Sequence, residues 1–107
     1  MTTIARNLVC FLGLTAASAL AADATAGKTV YDSKCKTCHA ADGTGNQGLA
    51  KALKAEIKPM SSPDIQKMSD DDLKKVVSAG FGKMKAVSSV TGADLDNVVA
   101  FLRTFKK

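Results

Sequence analysis

The chain has 107 residues, fifteen basic and ten acidic side chains, a formal charge of +5, no tryptophan and one tyrosine. This describes one small domain, basic enough to meet an acidic protein surface, with no aromatic-interleaved basic run to support nucleic-acid binding. With Cys10, Cys35, Cys38 and His39 as its whole cysteine and histidine set, it is short of ligands for a structural zinc once Cys10 is assigned to a leader.

Met1 to Asn7 carry Arg6 and no acidic residue, Leu8 to Leu20 form an apolar run, and Ala19-Leu20-Ala21 has the small-x-small form of a cleavage site. A secretory signal over residues 1–21 follows, with a mature domain over residues 22–107 and a periplasmic location. The apolar run is 13 residues long, well below the roughly 20 that span a bilayer. No integral membrane span is therefore expected after cleavage. The mature domain keeps fourteen basic and ten acidic residues, a formal charge of +4.

The first helix is predicted over Thr25 to Lys34, with Val30 and Tyr31 as its apolar marks and Gly27 on the face of Tyr31. The chemistry-bearing stretch comes next: Cys35-Lys36-Thr37-Cys38-His39. A Cys-x-x-Cys-His run is the mark of covalent c-type haem attachment. Two thiols three positions apart reach the porphyrin vinyl groups together, and the following histidine is carried under the iron, for which a neutral imidazole is a good ligand. A thioredoxin-like redox pair would need a βαβ pattern that this chain lacks. A simple disulfide leaves His39 without a role. Export agrees with the motif, because c-type haem is attached outside the cytoplasmic membrane in bacteria.

Ala40 to Gly48, dense in Gly, Asn and Asp, reads as a loop around one haem edge, and Leu49 to Ile57 as a short helix stopped by Pro59. Pro63-Asp64-Ile65 begins a short turn leading to Met68. Ser69 caps a helix whose first turn holds Asp70, Asp71 and Asp72, whose stripe is Leu73, Val76 and Val77, and which Gly80 ends. The three carboxylates fan around the helix instead of converging, so the dipole explains them better than a metal site does. Phe81 to Val90 reads as a loop. Thr91 and Asp94 form a capping pair for the last helix, marked by Leu95, Val98, Val99, Leu102 and Phe105, with Lys106 and Lys107 at its negative end.

A domain of 86 residues with Tyr31, Phe81, Phe101 and Phe105 as its aromatics has little to bury. A porphyrin would supply the missing apolar volume, so the haem-free chain is expected to be largely unfolded. An iron held by His39 has one position left. Met60, Met68 and Met84 are the mature chain's soft ligands for it, and all three also suit core filling. Met84 differs by context. It stands in a glycine-containing loop between two capped helices, where the chain can swing to the opposite haem face.

The order of parts resembles the small class I c-type cytochromes, single-haem electron carriers, over nearly the whole mature chain. The resemblance rests on Gly27-x-x-x-Tyr31, Cys35-x-x-Cys38-His39, the glycine loop to Leu49, Met68-Ser69-x-x-x-Leu73, Gly80-x-Gly82-x-Met84 and Val98 to Arg103. It implies an all-α small cytochrome c fold in which the N- and C-terminal helices cross through Gly27 and Phe101. It also implies Met84 as the distal iron ligand of one covalently attached haem c. Two positions depart from the family: Lys85 follows the distal methionine where proline is frequent, and Gln47 stands where a proline carbonyl often fixes the proximal histidine.

The function expected is that of an exported one-electron carrier, a monomer that meets redox proteins with acidic docking surfaces. Lys34, Lys36, Lys83 and Lys85 flank the attachment site and the distal loop, where positive charge would steer such a partner. No acid, base or nucleophile set marks an enzyme. The rivals are a haem protein with an open or labile sixth position, acting as a gas sensor or peroxidase, and a haem subunit of a larger oxidoreductase complex.

Overall fold

The computed structural model describes residues 21–107, so the leader expectation, apart from Ala21, lies outside the described residues. Six helices follow in order: α1 (Ala24–Lys34), α2 (Lys36–His39), α3 (Gln47–Leu53), α4 (Pro63–Gln66), α5 (Asp70–Ala79) and α6 (Gly92–Arg103). The described residues contain no strand, only an isolated bridge between Phe81 and Met84. The all-α fold class is as the sequence implied.

The ends of the helices show which local rules held. Asp23 caps α1 by accepting from the amides of Thr25 and Ala26, and the Ser69 hydroxyl caps α5 by accepting from Asp72 N at 3.0 Å. Gly80 ends α5 with φ 85°, a left-handed-side conformation that a Cβ would oppose. Thr91 stands at the N-cap of α6 in extended backbone, yet its hydroxyl makes no cap bond; Asp94 N donates to the Thr91 carbonyl instead. Helix α6 ends at Arg103, so Lys106 and Lys107 lie beyond it and Arg103 is the basic residue of its last turn.

Helix α3 differs from the expectation over Leu49 to Ile57. It begins at Gln47 because the Asn46 side chain accepts from Leu49 N at 3.0 Å, pulling Gln47 and Gly48 into the helix. It ends four residues early because Lys54 adopts φ 54°, ψ 46° and turns the chain through the left-handed region well before Pro59.

Helices α1 and α6 form the centre of the molecule, with α5 against α6. The buried core is Tyr31, Leu73, Val77, Val90, Val98, Val99 and Leu102. At the crossing of α1 and α6, a Cβ on Gly27 would stand 1.9 Å from the Asn97 carbonyl oxygen and 3.0 Å from Phe101 Cβ. The glycine therefore lets two backbones approach as no other residue would. Tyr31, fully buried, meets Phe101 and Phe105 in tilted contacts at ring separations of 5.1 and 5.7 Å, and the two phenylalanines meet edge to face at 5.2 Å. Through these rings α1 is fastened to α6 directly ahead of Cys35.

Candidate functional site: the attachment turn and the methionine loop

The attachment turn starts where α1 stops. Cys35 is both the C-cap of α1, donating its amide to Tyr31 O, and the N-cap of α2. His39 N and Cys38 N return to Cys35 O at 3.0 and 3.2 Å, so one turn of helix holds both thiols and the imidazole on a short arc. Ala40 follows with φ 67°, and its carbonyl accepts from the Tyr31 hydroxyl at 2.6 Å. A buried ring at the end of α1 thus fixes the exit of the turn.

The glycine loop then folds back beneath it. Gly45 N donates to His39 O at 2.9 Å and Asn46 N to Cys38 O at 2.8 Å, which satisfies carbonyls that a one-turn helix leaves orphaned. Gly45 sits at φ 95° and Gly43 at φ 77°, the latter against the Phe105 ring and Met60. This is the physical reason for the loop's composition: it must reverse within van der Waals contact of two neighbours.

Cys35 and Cys38 are both free and half-buried. Burial, with Cys38 beside it, pushes the Cys35 thiol up to about 11, so it is neutral at ordinary pH. Burial likewise holds the His39 imidazole below its usual value, favouring the neutral form that a metal ligand requires. The Nδ1 atom of His39 is buried with no hydrogen-bond partner. Gln47, at the place of the family's proline, turns its side-chain amide to the Thr44 carbonyl at 3.3 Å. With His39 Nδ1 unpartnered, no group of Gln47 supplies the acceptor that usually orients a ligating histidine.

The methionines separate by packing. All three methionines are half-buried; Met60 and Met68 rest against the hydrophobic core, whereas Met84 stands outside that set. Met84 closes a narrow turn: Phe81 N donates to Met84 O at 2.9 Å and Met84 N to Phe81 O at 2.8 Å. Gly82 at the first central position has φ 57°, the pattern of a type II′ turn. Val87 N donates to Val77 O at 2.7 Å, which pins the far end of the loop to α5. Lys83, at the tip, donates its ammonium to the Leu53 carbonyl at the end of α3, 3.0 Å away. The bond crosses thirty residues and carries no local signal in the sequence, where Lys83 reads only as surface charge.

Lys34, Lys36 and Lys85 are exposed, and among the described residues none of these lysines or Lys83 is within ion-pair distance of a carboxylate. No group of three or more His, Cys, Asp or Glu among the described residues could hold a metal ion unaided. A ligand set of one histidine, two half-buried thiols and one half-buried thioether fits a covalent haem and does not fit a protein-only metal centre. Among the described residues no helix is long and apolar enough to cross a membrane.

Known proteins agree with this chemistry. A family model described as cytochrome c oxidase, cbb3-type, subunit III matches residues 22–102. The chain is 30% identical over 92 residues to cytochrome c-554(547) of Halothiobacillus neapolitanus, an alignment covering 80% of this chain and 100% of the relative. A solved c-type cytochrome, KustC0563, shares the fold with a TM-score of 0.63 at 27% identity, over 76% of this chain and 98% of that one. The chain belongs to this c-type cytochrome family: it is a small, all-α, electron-carrying protein with one covalently bound haem c.

Proposed function

We propose that this protein is an exported, monomeric one-electron carrier whose haem is tethered by Cys35 and Cys38, with its iron held by His39 and Met84. The carrying observation is the division among the methionines. Met60 and Met68 pack against the core, while Met84, equally half-buried, stands outside that set on a hydrogen-bonded turn. The haem supplies a metal that gains and loses one electron, and thioether ligation favours its reduced form. The protein's part is to attach the group, present a neutral imidazole from the buried arc at His39 and hold Met84 steady.

Exposed Lys34, Lys36, Lys83 and Lys85 would meet redox partners with acidic docking surfaces. The apolar leader with its small-x-small end supports export to the periplasm, with mature protein beginning near Ala22. N-terminal sequencing of the purified protein tests this directly, and a chain still beginning at Met1 would overturn it.

The deciding experiment is visible spectroscopy of the oxidised and reduced protein, with and without carbon monoxide, alongside Met84→Ala. The expected result is a weak long-wavelength band of methionine-ligated ferric haem that disappears in the variant, and a wild-type spectrum indifferent to carbon monoxide. Immediate binding of carbon monoxide by the wild type would favour the open-site reading of a sensor or peroxidase.

A second reading, a haem subunit of a larger oxidoreductase, is favoured by the description of the matching family as an oxidase subunit. It predicts copurification with a partner chain. The carrier predicts a single species of the mature chain's own mass.

A further inference from the structure

Besides the core packing of Val87 and Val90, three hydrogen-bonded ties hold the loop that carries Met84. Its own turn is closed by the paired Phe81 and Met84 backbone bonds, and its far end is pinned to α5 by Val87 N on Val77 O. Both are backbone bonds that survive a change of side chain. The third tie is the Lys83 ammonium on the Leu53 carbonyl, the one hydrogen bond among the described residues that joins residues 80–90 to α3.

Leu53 is the last residue of α3, and its carbonyl is one of those that a helix end leaves without a partner. Lys54 turns away in the left-handed conformation, giving its amide to Ala50 O and Lys51 O and leaving the Leu53 oxygen open. A cation is the favoured partner for such an oxygen. Lys83 occupies the second central position of the Phe81–Met84 turn, directly after Gly82 and directly before Met84. A force on its side chain therefore acts on the residue that bears the thioether. Gly82 leaves the tip of this loop without packing of its own: a Cβ there would meet nothing within 4 Å, so no neighbour packs on that side of the tip.

We propose that Lys83 is a positioning residue, a latch from the methionine turn to the end of α3 that keeps Met84 on the iron and the sixth position closed. This rests on the assignment of Met84 as iron ligand. The latch also bears on the departure at Lys85, where the family often has a stiffening proline: a side-chain tie at 83 supplies restraint that the backbone at 85 does not. Because Lys83 is exposed, water competes for its bond, and the expected effect is modest: about three- to tenfold in the population of the opened loop.

The test is the binding of imidazole to the purified ferric holoprotein, followed by stopped flow to saturation, where the limiting rate reports detachment of Met84. Lys83→Ala should raise that rate about three- to tenfold, and Lys83→Arg, which keeps a cationic donor, should return it toward the wild-type value. Lys85→Ala removes the same charge one residue beyond Met84 and makes no bond to α3, so it should leave the rate unchanged. Helical circular dichroism and the attachment-site absorption should stay the same in all three variants.

If Lys83→Ala matches the wild type while Met84→Ala opens the site, the latch is overturned and the ligand assignment stands. If Lys83→Ala and Lys85→Ala raise the rate equally, local charge is the cause and the latch is again overturned. If the wild type binds imidazole as fast as Met84→Ala does, Met84 is not the ligand and both readings fall together.

Discussion

Gly27 of α1 and Asn97 of α6 lie so close that the space for a Cβ on the first is taken by the carbonyl oxygen of the second, 1.9 Å away. The Asn97 side chain also accepts from Asp23 N at 2.8 Å, so the same residue fixes the start of α1. Gly27→Ala must push the two central helices apart. The expected cost is about 3 kcal/mol or more, above the usual range for an added methyl group because the obstacle is backbone. Guanidinium unfolding of the holoprotein measures it, and a midpoint equal to wild type would show that the crossing is looser than described.

Tyr31 is the buried ring whose hydroxyl holds the Ala40 carbonyl beside His39. Removing the hydroxyl in Tyr31→Phe leaves that acceptor unpaired and should cost about 1 kcal/mol. The phenol also links stability to pH. Burial raises it from 10.0 to about 12, so at high pH the unfolded chain loses this proton before the folded one does. Its contribution is full below pH 10 and is lost as pH rises from about 10 to 12, a fall of about 1–2 kcal/mol once solvent screening and the uncharged thioether at Cys35 are allowed for. Denaturation midpoints across that range should fall less steeply in Tyr31→Phe than in wild type.

Arg103, at the end of α6, donates to the carbonyls of Gln66 and Met68 at 3.0 and 2.6 Å and to the Asp70 carboxylate at 2.7 and 3.1 Å. Gln66 in turn donates to the carbonyls of Met60 and Leu102. This clamp closes the connector between α4 and α5 onto the last helix. Arg103→Ala should destabilise by about 2–3 kcal/mol, since half-buried carbonyls lose a charged donor. Arg103→Lys should recover less than half, because a single ammonium cannot reproduce the fork. Asp70→Asn should cost less than about 1 kcal/mol, as the carboxylate is exposed. Thermal melts of the three variants order them.

Gly80 has φ 85°, and a Cβ there would lie 2.8 Å from Met84 O and 2.9 Å from Ala86 N. Gly80→Ala therefore displaces the methionine turn while leaving the crossing of α1 and α6 untouched. It should make the reduced protein bind carbon monoxide and weaken the methionine band, with a loss of global stability of about 1–2 kcal/mol. A closed site in this variant would mean that the turn tolerates the extra carbon.

The buried core is few in residues and mostly valine and leucine, joined by one tyrosine, too small a volume to hold a domain of this length alone. Haem-free Cys35→Ala/Cys38→Ala protein should therefore lose most of its helical circular dichroism. Native-strength signal in that protein would show that α1 and α6 pair without the cofactor.

Spacing in the sequence determined the chemistry and the order of parts. Cys35, Cys38 and His39 fall on one turn because residues one and three apart must. Ser69 and Gly80 bound α5 as their local conformational preferences require. Both ends of α3 were set by a single residue: the Asn46 side chain reached forward to start it early, and the Lys54 backbone turned left-handed to end it. Which methionine is spare was only partly legible, because glycine context marks a loop but not what packs against what. Tertiary structure showed that Met60 and Met68 rest against the core, that Asn97 is the residue Gly27 must clear, and that Arg103 and Lys83 fasten distant segments. The two bonds and the Gly27–Asn97 approach join residues thirty or more positions apart. Local spacing cannot encode them, since they exist only once distant segments of the chain have been brought within reach.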